Sequence, residues 1–206
     1  FRTYVKNKFK LNLITHTNQK GIKLNPQKDK NYTDVMKTKA LKDALDKYQF
    51  DFIYGGARRD EEASRSKERI VSVRDKGHIW NPKNQKPELW NLFNYEKDED
   101  QTLRVFPISN WTEFDIWNYI KQENIEIVDL YFAKKRKCIK KNNAYFMIDD
   151  NRYKLQKGEK IITETIRFRT LGCYPLTAGI KSSASNLSQV INETLKEKNS
   201  ERSGRL

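Results

Sequence analysis

Two adjacent glycines and two adjacent arginines, Gly55, Gly56, Arg58 and Arg59, are the residues of this sequence best suited to holding an anion. Glycine lets backbone N–H groups come close to a ligand, and each guanidinium offers planar, paired donors that match a phosphate or a sulfate. The surrounding segment, YGGARRDEEASRSKER from Tyr54 to Arg69, adds the acidic triplet Asp60, Glu61 and Glu62 and further basic residues, with Arg65 and Arg69 as candidates for a second tier of positive charge. Two readings of the pattern stand. One is an anion site; the other is a turn whose arginines pair with the triplet on a solvated helix. The triplet could hold Mg²⁺, but that ion usually rides on phosphates with few protein ligands, which favours a role in orienting the arginines.

A second candidate is RFRTLGCYPLT, from Arg167 to Thr177. Arg167 and Arg169 alternate with Phe168, so on a strand both guanidinium groups point to one side, and Gly172 then turns the chain. An edge strand with solvated arginines fits the same pattern. Cys173 has no histidine beside it to activate a thiol and reads as a packed small residue. His16 and His78 lie far apart with no ligand spacing, so no metal site is expected from protein side chains. His16, just past an expected strand end, could face a ligand, but a loop histidine is the simpler reading.

These residues need elements to position them. QFDFIYGG reads as a strand, Phe50 to Tyr54, ended by the glycine pair, which places the arginines at a strand's carboxyl end, where chemistry gathers in open α/β sheets. LNLIT, Leu11 to Thr15, reads as a short buried strand. Apolar residues striping one face from Asp34 to Tyr48 predict a helix capped by Thr33, and another helix is expected to begin near Asp60. Thr102 to Ile108 reads as a strand, and WTEFDIWNYI as an amphipathic helix capped by Thr112, with Trp111, Ile116, Trp117 and Ile120 in the core. The long connection Gly77 to Asp100 holds Trp80, Trp90 and Phe93, whose packing is favoured over a partner surface. Ala144 to Asp149 and Ile161 to Arg169 read as two strands forming an appended β-hairpin, and Leu187 to Lys196 as helix. The alternation predicts an α/β fold with a parallel sheet flanked by helices, in one domain spanning 1–206.

Composition sets the bounds. The chain has 206 residues, 36% of them hydrophobic and 12% aromatic, enough for a sizeable core. Mean hydropathy is −0.92, with no apolar run long enough for a membrane span or a secretory signal. Two cysteines without CxxC spacing suggest a reducing, cytoplasmic setting. The net charge of +14 raises the question of nucleic acid, but apart from AKKRKCIKK at Ala133 to Lys141 the lysines are spread along the chain, which argues against a nucleic-acid partner. Small anionic substrates would benefit from the same field.

Several long strings carry a resemblance: YTDVMKTKALKDALDKYQFDFIYGGARRDEEASRSKERIVSVRD, NPKNQKPELW, RVFPISNWTEFDIWNYI, MIDDNRYKLQKGE and RFRTLGCYPLT. In order and over nearly the whole chain, the sequence resembles the bacterial sulfate adenylyltransferase small subunits, ATP-pyrophosphatase-type proteins related to phosphoadenylyl sulfate (PAPS) reductases. The resemblance implies an adenine nucleotide alpha hydrolase-like, Rossmann-like scaffold and transfer of the adenylyl group of ATP, with Mg²⁺, to sulfate. It also implies a heterodimer with a GTPase large subunit in sulfate assimilation and cysteine biosynthesis. Arg58 and Arg59 become candidate catalytic groups. Gly55, Gly56, Arg65, Arg69, Arg167, Arg169 and Gly172 become candidate substrate and nucleotide contacts, and Arg202 and Arg205 part of an element closing on the anhydride. The family's S-x-G-K-D-S phosphate loop does not occur between Phe1 and Leu206. The expectation is therefore an internal fragment without its first strand, phosphate loop and C-terminal tail, inactive alone. Rival readings are a PAPS or adenylyl sulfate reductase relative, whose ECGLH-like string is absent, and a non-catalytic module docking on the GTPase.

Overall fold

The computed structural model describes residues 1–142, 144–173 and 175–197. It opens with α1 (Arg2–Lys8), which the sequence pattern did not announce, and the single turn α2 (Gln19–Ile22), whose first amides are taken by the Asn18 side chain. Between them Leu11 to Thr15 is not a strand, and Leu11, Leu13 and Ile14 are exposed. A strand needs a neighbour for its ladder, and among the described residues none pairs there. The helix expected from Asp34 is present as a π-helical stretch, Asp34–Lys39, running into α3 (Ala40–Tyr48). Thr33 does not cap it: its backbone is already helical and its hydroxyl takes no amide.

The first sheet contains β1 (Phe52–Tyr54), β2 (Val71–Arg74) and β3 (Thr102–Val105) in the order β1-β3-β2. β1 runs parallel to β3, with Tyr54 opposite Val105, whereas β2 is antiparallel, so the expected parallel sheet is corrected to a mixed one. β2 was not foreseen. The helix expected near Asp60 is replaced by turns and one 3₁₀ turn, Ala63–Arg65. Alternation then divides the sheet. Val71, Val73, Leu103 and Val105 form a buried cluster with Ile70 and Phe93, while Ser72, Arg74 and Arg104 occupy the other face.

The long connection behind β2 seals its free edge with side chains. Val73 donates its N–H to Gln85 Oε1 at 3.0 Å and accepts from Gln85 Nε2 at 3.0 Å, and Val71 donates to Glu88 Oε1 at 2.8 Å. Those backbone groups would otherwise be an open template. Of its aromatics, Phe93 packs on the core, but Trp90 is 85% exposed.

A second, antiparallel sheet holds β4 (Lys134–Lys141), β5 (Ala144–Met147), β6 (Ile162–Arg167) and the short β7 (Ile180–Lys181), in the order β5-β4-β6-β7. The expected hairpin of β5 with β6 does not form, because β4 lies between them and pairs with both. The lysine-rich β4 escaped the sequence reading; only Cys138 and Ile139 in its centre are buried, and they join two small cores. Finally, α4 (Glu113–Gln122) packs on α5 (Leu187–Lys196) through Trp117, Val190 and Ile191. Thr112 caps α4 as expected, in a reciprocal arrangement with Asp115. The fold is mixed α/β. Among the described residues no helix is long and apolar enough to cross a membrane.

Candidate functional site

Because β1 and β3 are parallel, their carboxyl ends share one edge, and the arginine loop leaves from it. Gly55 N–H continues the pairing by donating to Val105 O at 2.9 Å, and Arg59 N–H donates to Ser109 O at 2.8 Å. The loop thus lies along the segment that follows β3. Gly55 is needed for this approach: a Cβ there would sit 3.0 Å from the buried Phe106 ring.

Arg58 is buried and anchors the loop to the start of α4, donating from Nη1 to Trp111 O at 3.4 Å and facing Asp60 Oδ2 at 3.7 Å. Asp60 Oδ2 in turn accepts Glu113 N–H at 3.2 Å. Arg59 is half-exposed and reaches the other way. Its Nε and Nη2 donate to Glu68 O at 3.1 and 2.9 Å, Nη1 to Asn110 Oδ1 at 2.5 Å, and Nη2 faces Glu88 Oε2 at 3.6 Å. Arg65 pairs with Glu62 at 3.6 Å and Glu68 at 3.5 Å. Arg69 is exposed at the rim.

Behind the loop, Glu68 receives Arg74 and the Ser72 hydroxyl from the polar face of the sheet. Burial pushes the Arg74 and Arg104 guanidinium groups below their usual range. The Nε atoms of Arg65 and Arg74 are buried without a hydrogen-bond partner. The loop thus sets five cationic side chains, Arg58, Arg59, Arg65, Lys67 and Arg69, against the four carboxylates Asp60, Glu61, Glu62 and Glu68, on a backbone bonded to Val105 and Ser109.

The second candidate segment is placed differently. Arg167 is 1% exposed and donates from Nε to Glu193 Oε2 at 2.8 Å, on α5. Arg169 pairs with Glu113 Oε2 at 2.5 Å and faces Glu197 at 3.8 Å. β6 ends at Arg167, so Arg169 lies beyond the strand, and the two arginines meet different partners: Glu193 on α5 for Arg167, Glu113 at the start of α4 for Arg169. Gly172 is half-buried in the turn after β6, where Cys173 N–H donates to the Thr177 hydroxyl at 2.6 Å. Glu113 joins the two segments, with its amide on Asp60 and its carboxylate on Arg169. Arg202 and Arg205 lie outside the described residues.

The histidines stand apart from this arrangement. His16 lines a hollow of about 630 Å³ with Asn18, Lys20 and Asp43, and His78 bonds Asp46 at 2.9 Å. Burial raises the Cys138 thiol above its ordinary pKa. Among the described residues no three His, Cys, Asp or Glu side chains are gathered as a metal would require.

Residues 1–179 match the family model of the phosphoadenosine phosphosulfate reductase domain. Sulfate adenylyltransferase subunit 2 of Psychromonas ingrahamii is 51% identical over 100% of this chain and 70% of its own length. That of Shewanella oneidensis is 53% identical over 100% and 70%, and that of Sulfurimonas denitrificans 54% identical over 94% and 65%. The chain belongs to the sulfate adenylyltransferase subunit 2 family.

In this subunit 2 family member, five residues that sequence reasoning did not single out complete the site: Glu68, Glu88, Arg104, Asn110 and Glu113. Glu68 stood in plain view in the SKER of the loop. Glu113 carried a signal too, since it follows the Thr112 cap in a first turn that welcomes carboxylates. Glu88 and Asn110 come from segments read as connections, and nothing local marks them. Arg104 shares a strand with apolar neighbours and is brought to Glu68 only by the antiparallel register of β2.

Proposed function

We propose that the protein transfers the adenylyl group of ATP to sulfate, giving adenylyl sulfate and pyrophosphate. The observation that carries the proposal is the glycine-flanked arginine pair on the shared carboxyl edge of β1 and β3, with its orientation fixed by Glu68, Asn110 and Trp111. The names borne by relatives 51 to 54% identical support it. Sulfate is a weak nucleophile attacking a negatively charged α-phosphorus, so two anions must be held together against their repulsion. That task calls for guanidinium groups rather than a general base, and for an in-line displacement helped by positioning and charge, with no covalent intermediate. In this reading Arg58 and Arg59 face the sulfate or the α-phosphate, Gly55 and Gly56 give backbone access, and Arg65, Arg69, Arg167, Arg169 and Gly172 complete the surroundings.

Mg²⁺ belongs to this reading as part of the ATP substrate. Asp60 and Glu62 are engaged by arginines and an amide, which fits carboxylates that orient guanidinium groups and leave the ion to the phosphates. The anhydride product is high in energy, so the reaction is proposed to be coupled to GTP hydrolysis by a large subunit in a cytoplasmic heterodimer serving sulfate assimilation and cysteine biosynthesis. The parallel β1–β3 pair supports an adenine nucleotide alpha hydrolase-like scaffold, proposed as one domain.

A reductase reading draws support from the matched domain model. It asks for a reactive thiolate: Cys138 is sealed in the second sheet with its thiol held protonated, and Cys173 is half-buried in the turn after β6 with no histidine next to it in sequence.

The test is pyrophosphate release with ATP, Mg²⁺ and sulfate by the full-length protein carrying this sequence, with and without the GTPase subunit and GTP. Sulfate-dependent, GTP-stimulated release is expected. Silence under all conditions, with ATP binding absent, would move the reading to a non-catalytic docking module.

A further inference from the structure

Glu88 closes two contacts that no local pattern connects. Its Oε1 accepts the Val71 N–H at 2.8 Å on the free edge of β2, and its Oε2 faces Arg59 Nη2 at 3.6 Å. The carboxylate is 10% exposed, against 30% for the arginine side chain, so the pair is weakly screened by water. The other Arg59 acceptors named above, Glu68 O and Asn110 Oδ1, are neutral.

The segment that delivers Glu88 is itself held. Gln85, three residues earlier, brackets Val73 through both its amide groups, and Lys86 donates to Glu96 O at 2.6 Å. Just beyond, Trp90 and Asn91 adopt φ of 52° and 58°, a left-handed turn that ends the segment. Glu88 is thus presented from a fixed point.

We propose that Glu88 is a positioning residue for the arginine loop: by clamping Arg59 to the edge of β2 it sets the direction of that guanidinium at the anion-holding edge of the sheet. The proposal rests on the adenylyl-transfer reading for its consequence, but the clamp itself is independent of it. A carboxylate that only plugged the β2 edge would need its Val71 contact alone. One that positions Arg59 needs its charge.

Glu88→Gln separates the two, because the amide keeps an acceptor for Val71 while losing the charge that faces Arg59. Two readouts are taken on the full-length protein. In limited trypsin digestion, cleavage after Arg65 is expected to accelerate about tenfold in Glu88→Gln, with a melting temperature within about 2 °C of wild type, as for a local rather than a global opening. In an Arg59→Gln background the same substitution is expected to change cleavage less than about twofold, since coupled residues are non-additive. Turnover with sulfate is expected to fall about tenfold in Glu88→Gln and less in Glu88→Asp, which keeps the charge on a shorter arm; where Glu88→Gln does not fold, Arg59→Gln alone, which leaves the Val71 contact intact, is expected to accelerate the same cleavage about tenfold. Equal acceleration in both backgrounds, or none, overturns the clamp. Faster cleavage with unchanged turnover overturns its role in the reaction. A wild type without sulfate-dependent turnover sinks the adenylyl-transfer reading, and the cleavage comparison still decides the clamp.

Discussion

Glu113 accepts the Arg169 guanidinium on its carboxylate at 2.5 Å and donates its own amide N–H to Asp60 Oδ2 at 3.2 Å, so one residue at the start of α4 ties the arginine loop to the strand end of the second sheet. The ion pair is shut off from water on both sides, with 8% of Arg169 and 13% of Glu113 side chain exposed. Removing one partner of such a pair strands a charge. Glu113→Ala is expected to cost about 3 kcal/mol, and the double variant with Arg169→Met to cost less than the sum of the singles. Urea denaturation of the four proteins gives the cycle, and strict additivity would show that the pair does not join the segments energetically.

The two glycines of the loop separate packing from access. Gly55→Ala pushes a methyl to 3.0 Å from the Phe106 ring, which must yield inside a core, and a loss of about 1 kcal/mol is expected. At Gly56 the nearest atom to an added Cβ is Ile108 Cδ1 at 3.7 Å, an ordinary contact. Gly56→Ala should therefore leave stability within about 0.5 kcal/mol. If the Gly56 backbone approaches the ligand, that same variant loses ATP or sulfate affinity by calorimetry while its melting curve stays put. Unchanged affinity would remove Gly56 from the site.

What could be read beforehand follows the range of the forces involved. The helix Leu187 to Lys196, the Thr112 cap and the strand leading to Gly55 were legible because periodicity and capping are local. β2 was not, since VSVR is short and follows charged residues that suggested a helix. Its edge is completed by Gln85 and Glu88, twelve and seventeen positions away from their partners Val73 and Val71. The expected hairpin failed for a similar reason: β5 and β6 each find β4, whose lysines hide the central Cys138 and Ile139. At the site, the alternatives for Arg58 were both present in the pattern, and the structure adds that its pairing with Asp60 also braces α4. Alternation predicted Arg167 and Arg169 on one side of a strand, but β6 ends at Arg167, and the partners Glu193 and Glu113 belong to helices that only tertiary packing brings there.

Asp115 gives an acid limit to the bracing of α4. The Thr112 amide, then its hydroxyl, donate to the carboxylate and hold it below the usual carboxyl range, with Arg58 adding in the same direction. A carboxyl depressed in the folded state contributes stability above its unfolded value, about pH 4, and loses it as pH falls through the lower folded value. Asp115→Asn should therefore flatten the acid limb of a stability-versus-pH curve below about pH 4. A curve identical to wild type in that window would mean the capping carboxylate carries no acid sensitivity.

Arg59 is the residue on which the proposed chemistry bears most directly. Its guanidinium spans Glu68 O and Asn110 Oδ1, a distance and angle that a single ammonium cannot cover. Arg59→Ala is expected to reduce sulfate-dependent pyrophosphate release about a hundredfold, the scale for losing one preorganised donor at a developing charge. Arg59→Lys keeps the charge without the fork and should recover only part of that loss. The effect ought to fall on turnover more than on the KM for ATP, because a group that meets the α-phosphate of the transferring adenylyl group or its attacking sulfate matters most as charge redistributes. Steady-state kinetics in the presence of the GTPase subunit resolves the two parameters. Unchanged release in Arg59→Ala would show that the arginine loop is a brace for α4 and β2 rather than part of the reacting site.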